Sequence, residues 1–410
     1  MKDRTMDKNR RRFIKSSIAG LAGASLLPSL MKEKVYADEP KKKINFVYRT
    51  LGKTGIKLPV VSMGVMNTMN PKLVEAAYNA GIVHFDTAAM YGGMGGGKSE
   101  TMLGEFFKDK PRDSFVLATK VMMPGIMGGP INANAKPQDF INEFDKSFKR
   151  IGLDYVDILY LHGPGSREKV LFEPYLEAMT QVKKQGRARF IGVSTHMGQP
   201  EVIRAAIESK VLDVVLVAYN SSYPNAAEIK KAIAEGAKAG LGIIGMKTVA
   251  GLVGGGFMGP KKDASEEEIA AAIKWVLEDE NVATIIPGWQ TFDQINSTIT
   301  VMSNLKMTTA ERSRLDKISK QANLFCYQCE ECVPQCPAGH HIPTLMRSYM
   351  YAHGYKNMQM ARITLDSMDL KKIACEDCET CTVKCARGFN VKEKILDIAR
   401  LRDVPTDFLV

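Results

Sequence analysis

Cysteine is absent from the first 325 residues, which excludes a small disulfide-knotted fold for most of the chain. Beyond residue 37 no apolar run approaches the roughly 20 residues a bilayer-spanning helix takes, so no stable membrane span is expected. Charge of one sign is scarce as well. The formal net charge is +11, but residues 1–37 alone hold nine Lys/Arg against three Asp/Glu, so the remainder carries only +5. That excess is too small and too spread out to support nucleic-acid binding. Hydrophobic residues make up 45% and charged residues 25%, ordinary values for a chain that buries a core, and global disorder is excluded. At about 150 residues per domain, 410 residues predict two or three folded units.

The one short apolar run, residues 18–30, follows Asn9-Arg10-Arg11-Arg12-Phe13-Ile14-Lys15 and precedes Val35-Tyr36-Ala37. A basic start, a short apolar middle and a small-residue end are the order of a signal peptide over residues 1–37. Gly, Ala and Ser dilute the run and Pro28 interrupts it, so it is not expected to persist as a membrane anchor. The Arg pair followed by Phe-Ile-Lys resembles the twin-arginine export signal. That resemblance implies the twin-arginine export machinery as a partner, loading of cofactors before export, and a periplasmic or otherwise exported protein. A basic, disordered start is the competing reading.

What the first 325 residues lack is concentrated in two short windows. Cys326, Cys329, Cys332 and Cys336, then Cys375, Cys378, Cys381 and Cys385, both read C-x2-C-x2-C-x3-C. Three cysteines at steps of three can turn their sulfurs to three corners of one cubane, while the last leads away. In the bacterial 4Fe-4S pattern that last Cys binds the other cluster. The expected sets are therefore Cys326, Cys329, Cys332 and Cys385 for one cluster, and Cys375, Cys378, Cys381 and Cys336 for the other. Only the first run ends in the usual Pro, Pro337; Ala386 stands in the second. Structural zinc and disulfides are the alternatives. Zinc does not need a fourth Cys at the same offset twice, and disulfides do not need three cysteines within seven residues. Between the runs, Leu345 with Tyr349 and Met360 with Ile363 are spaced as on helices, with a break near Gly354. On the cysteine pattern, residues 324–402 resemble an alpha-helical ferredoxin domain, which implies two 4Fe-4S clusters and a redox protein partner.

From residue 46 to 306, β-branched runs alternate with amphipathic stretches after a hairpin around 46–60. Strands are expected at 60–64, 82–86, 115–120, 156–161, 189–193, 211–217, 242–246 and 283–287, with helices such as 71–80, 137–151, 200–209 and 265–278 between them. Eight such units fit one (β/α)8 TIM barrel. The predicted α/β organisation is that barrel, a linker helix at 307–323, the small, mainly α-helical two-cluster domain at 324–402, and a tail at 403–410.

In such barrels the reactive groups sit at the C-terminal strand ends. The second strand ends at Asp86 with Tyr91 in the loop beyond, the third at Lys120, and the fourth is followed by His162. Singly, each has a bland role: Asp86 could cap a turn, Lys120 could be solvated, and His162 and Tyr91 could pack in the core. Their joint placement favours chemistry. With Arg49-Thr50-Leu51-Gly52-Lys53-Thr54-Gly55, His84-Phe85-Asp86-Thr87-Ala88-Ala89-Met90-Tyr91-Gly92 and Gly192-Val193-Ser194, the region 48–305 resembles the aldo-keto reductases. All four catalytic positions of that family match. The resemblance implies hydride transfer between a nicotinamide, NADP(H) or NAD(H), and a small carbonyl or alcohol. Tyr91 would donate the proton, Lys120 would lower the tyrosine pKa, Asp86 would hold the ammonium, and His162 would orient the carbonyl.

The same resemblance points to Gly64, Ser194, Met246, Lys247, Gly288 and Gln294 as dinucleotide contacts. Three departures accompany it. Leu216 stands where the family's amide-binding Gln is expected, and Leu cannot hydrogen-bond an amide. Met246 replaces the aromatic that stacks on the nicotinamide, with Lys247 beside it as a phosphate partner. Residues 287–298 lack the basic residues and the Glu-Asn pair that relatives use on the adenosine phosphate.

Two motif matches carry less. Residues 92–99 read G-x4-G-K-S, but several residues separate them from the strand that a phosphate-binding loop requires. Residues 254–259 read G-x-G-x-x-G yet run into Pro260, a loop expected, with 124–137, to cover substrate or to touch the ferredoxin unit. Hydride chemistry moves two electrons together and a cluster moves one. Joining them implies an intervening carrier or two separate tasks. The leading expectation is an exported oxidoreductase; the alternative is an electron-transfer or assembly protein that uses a degenerate barrel as a scaffold.

Overall fold

The computed structural model describes residues 46–93, 96–250, 264–319, 326–368, 375 and 377–409; the expected signal peptide and the glycine-rich stretch 254–259 lie outside them. Strands β1 (Tyr48–Thr50) and β2 (Lys57–Pro59) form an antiparallel hairpin with Tyr48 opposite Pro59. Eight parallel strands follow: β3 (Met63–Gly64), β4 (His84–Asp86), β5 (Val116–Val121), β6 (Val156–His162), β7 (Ala188–Thr195), β8 (Val214–Ala218), β9 (Gly242–Met246) and β10 (Thr284–Ile285). Each pairs with the next in sequence. Hydrogen bonds from Ser62 N to Ile285 O (2.8 Å) and from Gly64 N to Pro287 O (2.9 Å) bring the last strand back to the first. A Cβ on Gly64 would stand 2.9 Å from the Ile286 carbonyl oxygen, so this seam needs glycine there.

Strands β5, β6, β8 and β9 are buried at every residue, as a parallel sheet covered by helices requires. The covering helices are α1 (Pro71–Asn79), α2 (Lys98–Phe107), α3 (Pro137–Ile151), α4 (Arg167–Val170), α5 (Glu173–Lys184), α6 (Gln199–Ser209), α7 (Ala226–Lys238), α8 (Glu266–Leu277) and α9 (Phe292–Thr300). Helix α3 shows how the sequence directs them. Pro137 starts it, left-handed Gly152 ends it, and Phe140, Phe144, Ser147 and Ile151 form its buried stripe. Burying each phenyl ring contributes about 2–3 kcal/mol.

Helix α10 (Thr309–Ser319) falls within the expected linker helix and is tied to the barrel: Lys274 pairs with Glu311 at 2.6 Å and Arg312 with Glu278 at 2.8 Å. The C-terminal region contains α11 (Ile342–Tyr349), a π-helical turn at Met350–Gly354, α12 (Met358–Asp366) and α13 (Val391–Ala399). The break near Gly354 is where the sequence pattern puts it. All eight residues of α11 are buried, too many for a surface helix. The reason is its seat at the barrel's C-terminal end. Thr344 Oγ1 donates to Met127 O (3.3 Å) in the loop after β5, and Tyr327 faces Tyr223 beyond β8 with ring centroids 6.2 Å apart. The 124–137 loop thus touches the ferredoxin-like region. Among the described residues no helix is long and apolar enough to cross a membrane.

Candidate active site

Strand ends β4, β5 and β6 carry Asp86, Lys120 and His162 to one mouth, and the loop after β4 returns Tyr91 to it. All four are buried. Lys120 Nζ donates to Asp86 Oδ1, to Thr87 O at 2.8 Å, and to the Tyr91 hydroxyl at 3.5 Å. The Tyr91 and His162 rings meet edge to face with centroids 6.3 Å apart. The four residues named from strand-end placement therefore converge.

Their electrostatics differ from the expectation in one respect. Burial, with the Asp86 carboxylate as a second cause, pushes the Tyr91 phenol above its ordinary value. Burial outweighs the Lys120 ammonium, which is held by Asp86 and Thr87 and reaches the Tyr91 hydroxyl only at 3.5 Å. Burial also moves Lys120 down and Asp86 up, and their contact opposes both shifts. Tyr91 is consequently a protonated phenol. It can still release a proton to an alkoxide, which is the stronger base.

His162 and His196 lie well below the ordinary imidazole range, by burial first and then by neighbouring cations; His84 is driven down to about 3 by burial and Lys120. An unfolded chain takes up these protons near pH 6.5 and the folded one refuses them. The stabilisation is whole above that value and is lost as pH falls below about 6.5, by up to about 1.4 kcal/mol per pH unit for each imidazole. The urea midpoint should therefore drop between pH 7.5 and 5.5, and less steeply in His84→Gln; equal midpoints at both pH values would contradict this assignment.

The residues expected to hold a dinucleotide divide. Ser194 on β7 pairs in register with His162, and its buried Oγ has no hydrogen-bond partner among the described residues. Met246 closes β9, and Lys247 follows it in a left-handed backbone conformation, φ 57°. Gly64 serves the barrel seam, and Gly288 lies against the Asn67 side chain beside it. Gln294 does not fit its expected role. Its Oε1 accepts from Gln290 N (2.7 Å) and Thr291 N (3.3 Å), completing the cap of α9. The P-loop match fails on geometry as well: Ser99 is buried in a 2.8 Å hydrogen bond with Thr87 Oγ1.

The cysteines fall into two groups. Cys326, Cys329 and Cys332 share their surroundings with Cys385, whereas Cys375 lies with Cys336, Cys378 and Cys381. The latter four line one small cavity walled by Pro337, Ile342 and Val391. None of the eight is in a disulfide. Backbone N–H groups of Gln328 and Arg387 donate to Cys326 and Cys385 Sγ, each at 3.4 Å. The runs are crossed through Gln335, whose Oε1 accepts from Lys384 N (2.7 Å) and whose carbonyl accepts from Thr382 Oγ1 (2.8 Å). Thiolate sets of this chemistry, in an apolar cage with N–H···S bonds, fit iron–sulfur clusters.

Several residues at the mouth carried no signal in the sequence. Arg347, Tyr351 and Tyr355 come from the C-terminal region, with Lys247 Nζ at 5.0 Å from the Tyr351 ring centroid and 4.7 Å from that of Tyr355. Asp86 Oδ2, the Tyr160 hydroxyl, His162 Nδ1, His196 Nδ1 and all three Arg347 nitrogens are buried without hydrogen-bond partners among the described residues. The single available hint was an arginine as the one charged residue of α11.

Comparison with known proteins agrees with this geometry. The model of the aldo/keto reductase family matches residues 66–269, and that of the 4Fe-4S dicluster domain matches residues 325–389. The L-glyceraldehyde 3-phosphate reductase of Escherichia coli strain K12 is 24% identical over 349 residues, covering 72% of this chain and 98% of that protein. A D-threo-aldose 1-dehydrogenase of Pseudomonas sp is 30% identical over 216 residues, covering 45% of this chain and 64% of that protein. The holo form of an aldo-keto reductase from Bacillus halodurans shares the fold with a TM-score of 0.54 at 22% identity, over 69% of this chain and all of that one. The chain is an oxidoreductase that joins a barrel matched by the aldo/keto reductase family model to a C-terminal 4Fe-4S dicluster domain.

Proposed function

We propose that this protein is an exported enzyme that interconverts a small carbonyl and its alcohol, with Tyr91 as proton donor. In this reading two 4Fe-4S clusters exchange electrons with a redox partner, and the twin-arginine machinery carries the loaded protein out of the cytoplasm. The observation that carries it is the meeting of Tyr91, Lys120, Asp86 and His162 at one barrel mouth. A carbonyl oxygen that gains negative charge needs a proton, and a buried phenol beside an ammonium can deliver it. Neutral His162 donates one ring N–H to the same oxygen and fixes its direction. Burial keeps water from competing for that oxygen.

A nicotinamide bound at this mouth supplies the hydride. Ser194, with its unpartnered buried hydroxyl, suits the nicotinamide amide, and Met246 suits the ring face. At the adenosine end Gln294 is spent on its helix cap, and residues 287–298 bring no basic side chain, so NAD(H) is favoured over NADP(H). The competing reading, a scaffold barrel that only docks the clusters, draws on the departures at Leu216, Met246 and Thr298.

Adding NADH and then NADPH to anaerobically purified protein separates the two. Trp289 is buried next to the expected adenosine region, and its indole N–H donates to Thr298 Oγ1 at 3.1 Å. NADH should quench tryptophan emission and support aldehyde reduction, with NADPH the weaker. Quenching without turnover, or no quenching with either, would favour the scaffold.

A further inference from the structure

Two cations at the barrel mouth, buried Arg347 and half-buried Lys247, have no counter-charge among the described residues. Arg347 lies on α11, is 2% exposed, and has no partner for Nε, Nη1 or Nη2 among the described residues. Tyr351 stands one turn further along, and its ring lies under Lys247 Nζ, which Tyr355 also faces. Arg347 and Lys247 therefore bear on Tyr351 and on each other, the first from the cluster domain and the second from the end of β9. Lys247 holds a left-handed backbone that costs a non-glycine residue free energy, as positions kept for a ligand often do. The groups that bear on Arg347 are Tyr351, Tyr223 and Cys326, and those that bear on Lys247 are Arg347 and Lys120; no carboxylate is among them. The nearby acid, Asp86, is already bound to Lys120. His162 and His196 feel the Arg347 charge, and each keeps a buried, unpartnered ring nitrogen.

A guanidinium taken out of water without an anion is costly, and a planar fork of five N–H donors matches a carboxylate or phosphate. We propose that Arg347 and Lys247, with a ring N–H of His196, form a subsite for a carboxylate or phosphate group on the substrate, so that the cluster domain selects an anionic aldehyde or its alcohol. Arg347 bears on His162, and its neighbour Tyr351 lies beside Lys120 and Tyr91, which sets the anion next to the reacting carbonyl. The proposal rests on the mouth being a carbonyl-reducing site.

Full-length, cluster-loaded protein is the test material. Calorimetric titration with inorganic phosphate should show binding that weakens about 30-fold in Arg347→Gln, about 10-fold in Lys247→Met, and about 5-fold in Arg347→Lys, which keeps the charge but loses the fork. Cluster absorbance reports whether each variant has folded. The preference, in kcat/KM, for a phosphate-bearing three-carbon aldehyde over its uncharged parent should fall by about the same factor in Arg347→Gln, through the substrate KM. Absent phosphate heat in the unsubstituted protein overturns the subsite, as does an unchanged preference. A raised dinucleotide KM in place of a raised substrate KM would assign the cations to the dinucleotide's diphosphate and overturn the substrate assignment. A shifted cluster midpoint potential with unaltered phosphate binding would assign Arg347 to the cluster and overturn it as well. If phosphate binding depends on Arg347 while neither aldehyde turns over, the anion subsite stands and the carbonyl-reducing function falls.

Discussion

Tyr91→Phe should lower kcat for carbonyl reduction by about 10³-fold, the usual loss when a positioned general acid is removed, and leave cluster absorbance unchanged. The ring is 8% exposed and packs edge to face on His162, so phenylalanine keeps the contact and deletes only the hydroxyl. Lys120 remains held by Asp86 and Thr87, which limits the damage to the proton donor. Because burial holds the phenol above its ordinary range, no loss of reduction from Tyr91 ionisation is expected below pH 10. Stopped-flow measurement of a single turnover separates this step from product release. A variant that turns over at the original rate would remove Tyr91 from the mechanism and leave the barrel in its scaffold role.

Paired cysteine substitutions should have an effect as large, read as iron. With both clusters filled, analysis should give about eight iron and eight sulfide per chain. Cys385 lies with the first run and Cys336 with the second. Cys329→Ala combined with Cys385→Ala should therefore remove one cluster and leave about four iron, whereas Cys329→Ala combined with Cys336→Ala should remove both. The opposite pattern would mean that each run closes its own cluster. Zinc in place of iron would refute the cluster assignment altogether. Since α11 sits between the cysteine runs and the barrel mouth, loss of both clusters should also disturb Arg347 and Tyr351.

The barrel was legible because its signals are local. Helix α3 is bounded where Pro137 and Gly152 predict, and β9 spans Gly242–Met246 as its β-branched run implies. The last strand is shorter than its apolar run, Thr284–Ile285 against residues 283–287, because its neighbours meet it only across a short seam. Asp86, Lys120 and His162 could be named in advance because a parallel barrel brings all its strand ends to one rim. Gln294 could not be judged that way. Whether a side chain caps its own helix or faces a ligand is decided by a rotamer, and the same residue type suits both.

By itself the sequence determined the eight strand-helix units, the two cysteine runs and the strand-end residues that meet at the barrel mouth, because periodicity and ligand spacing are written over a few consecutive positions. Only the tertiary structure decided the charge state and company of those residues. Tyr91 is made less acidic by burial, and Arg347, 185 positions beyond His162 in the chain, is brought to bear on that imidazole with no anionic partner among the described residues. Desolvation and Coulomb interactions depend on distance in space and on what excludes water, and neither can be read from the order of residues along a chain.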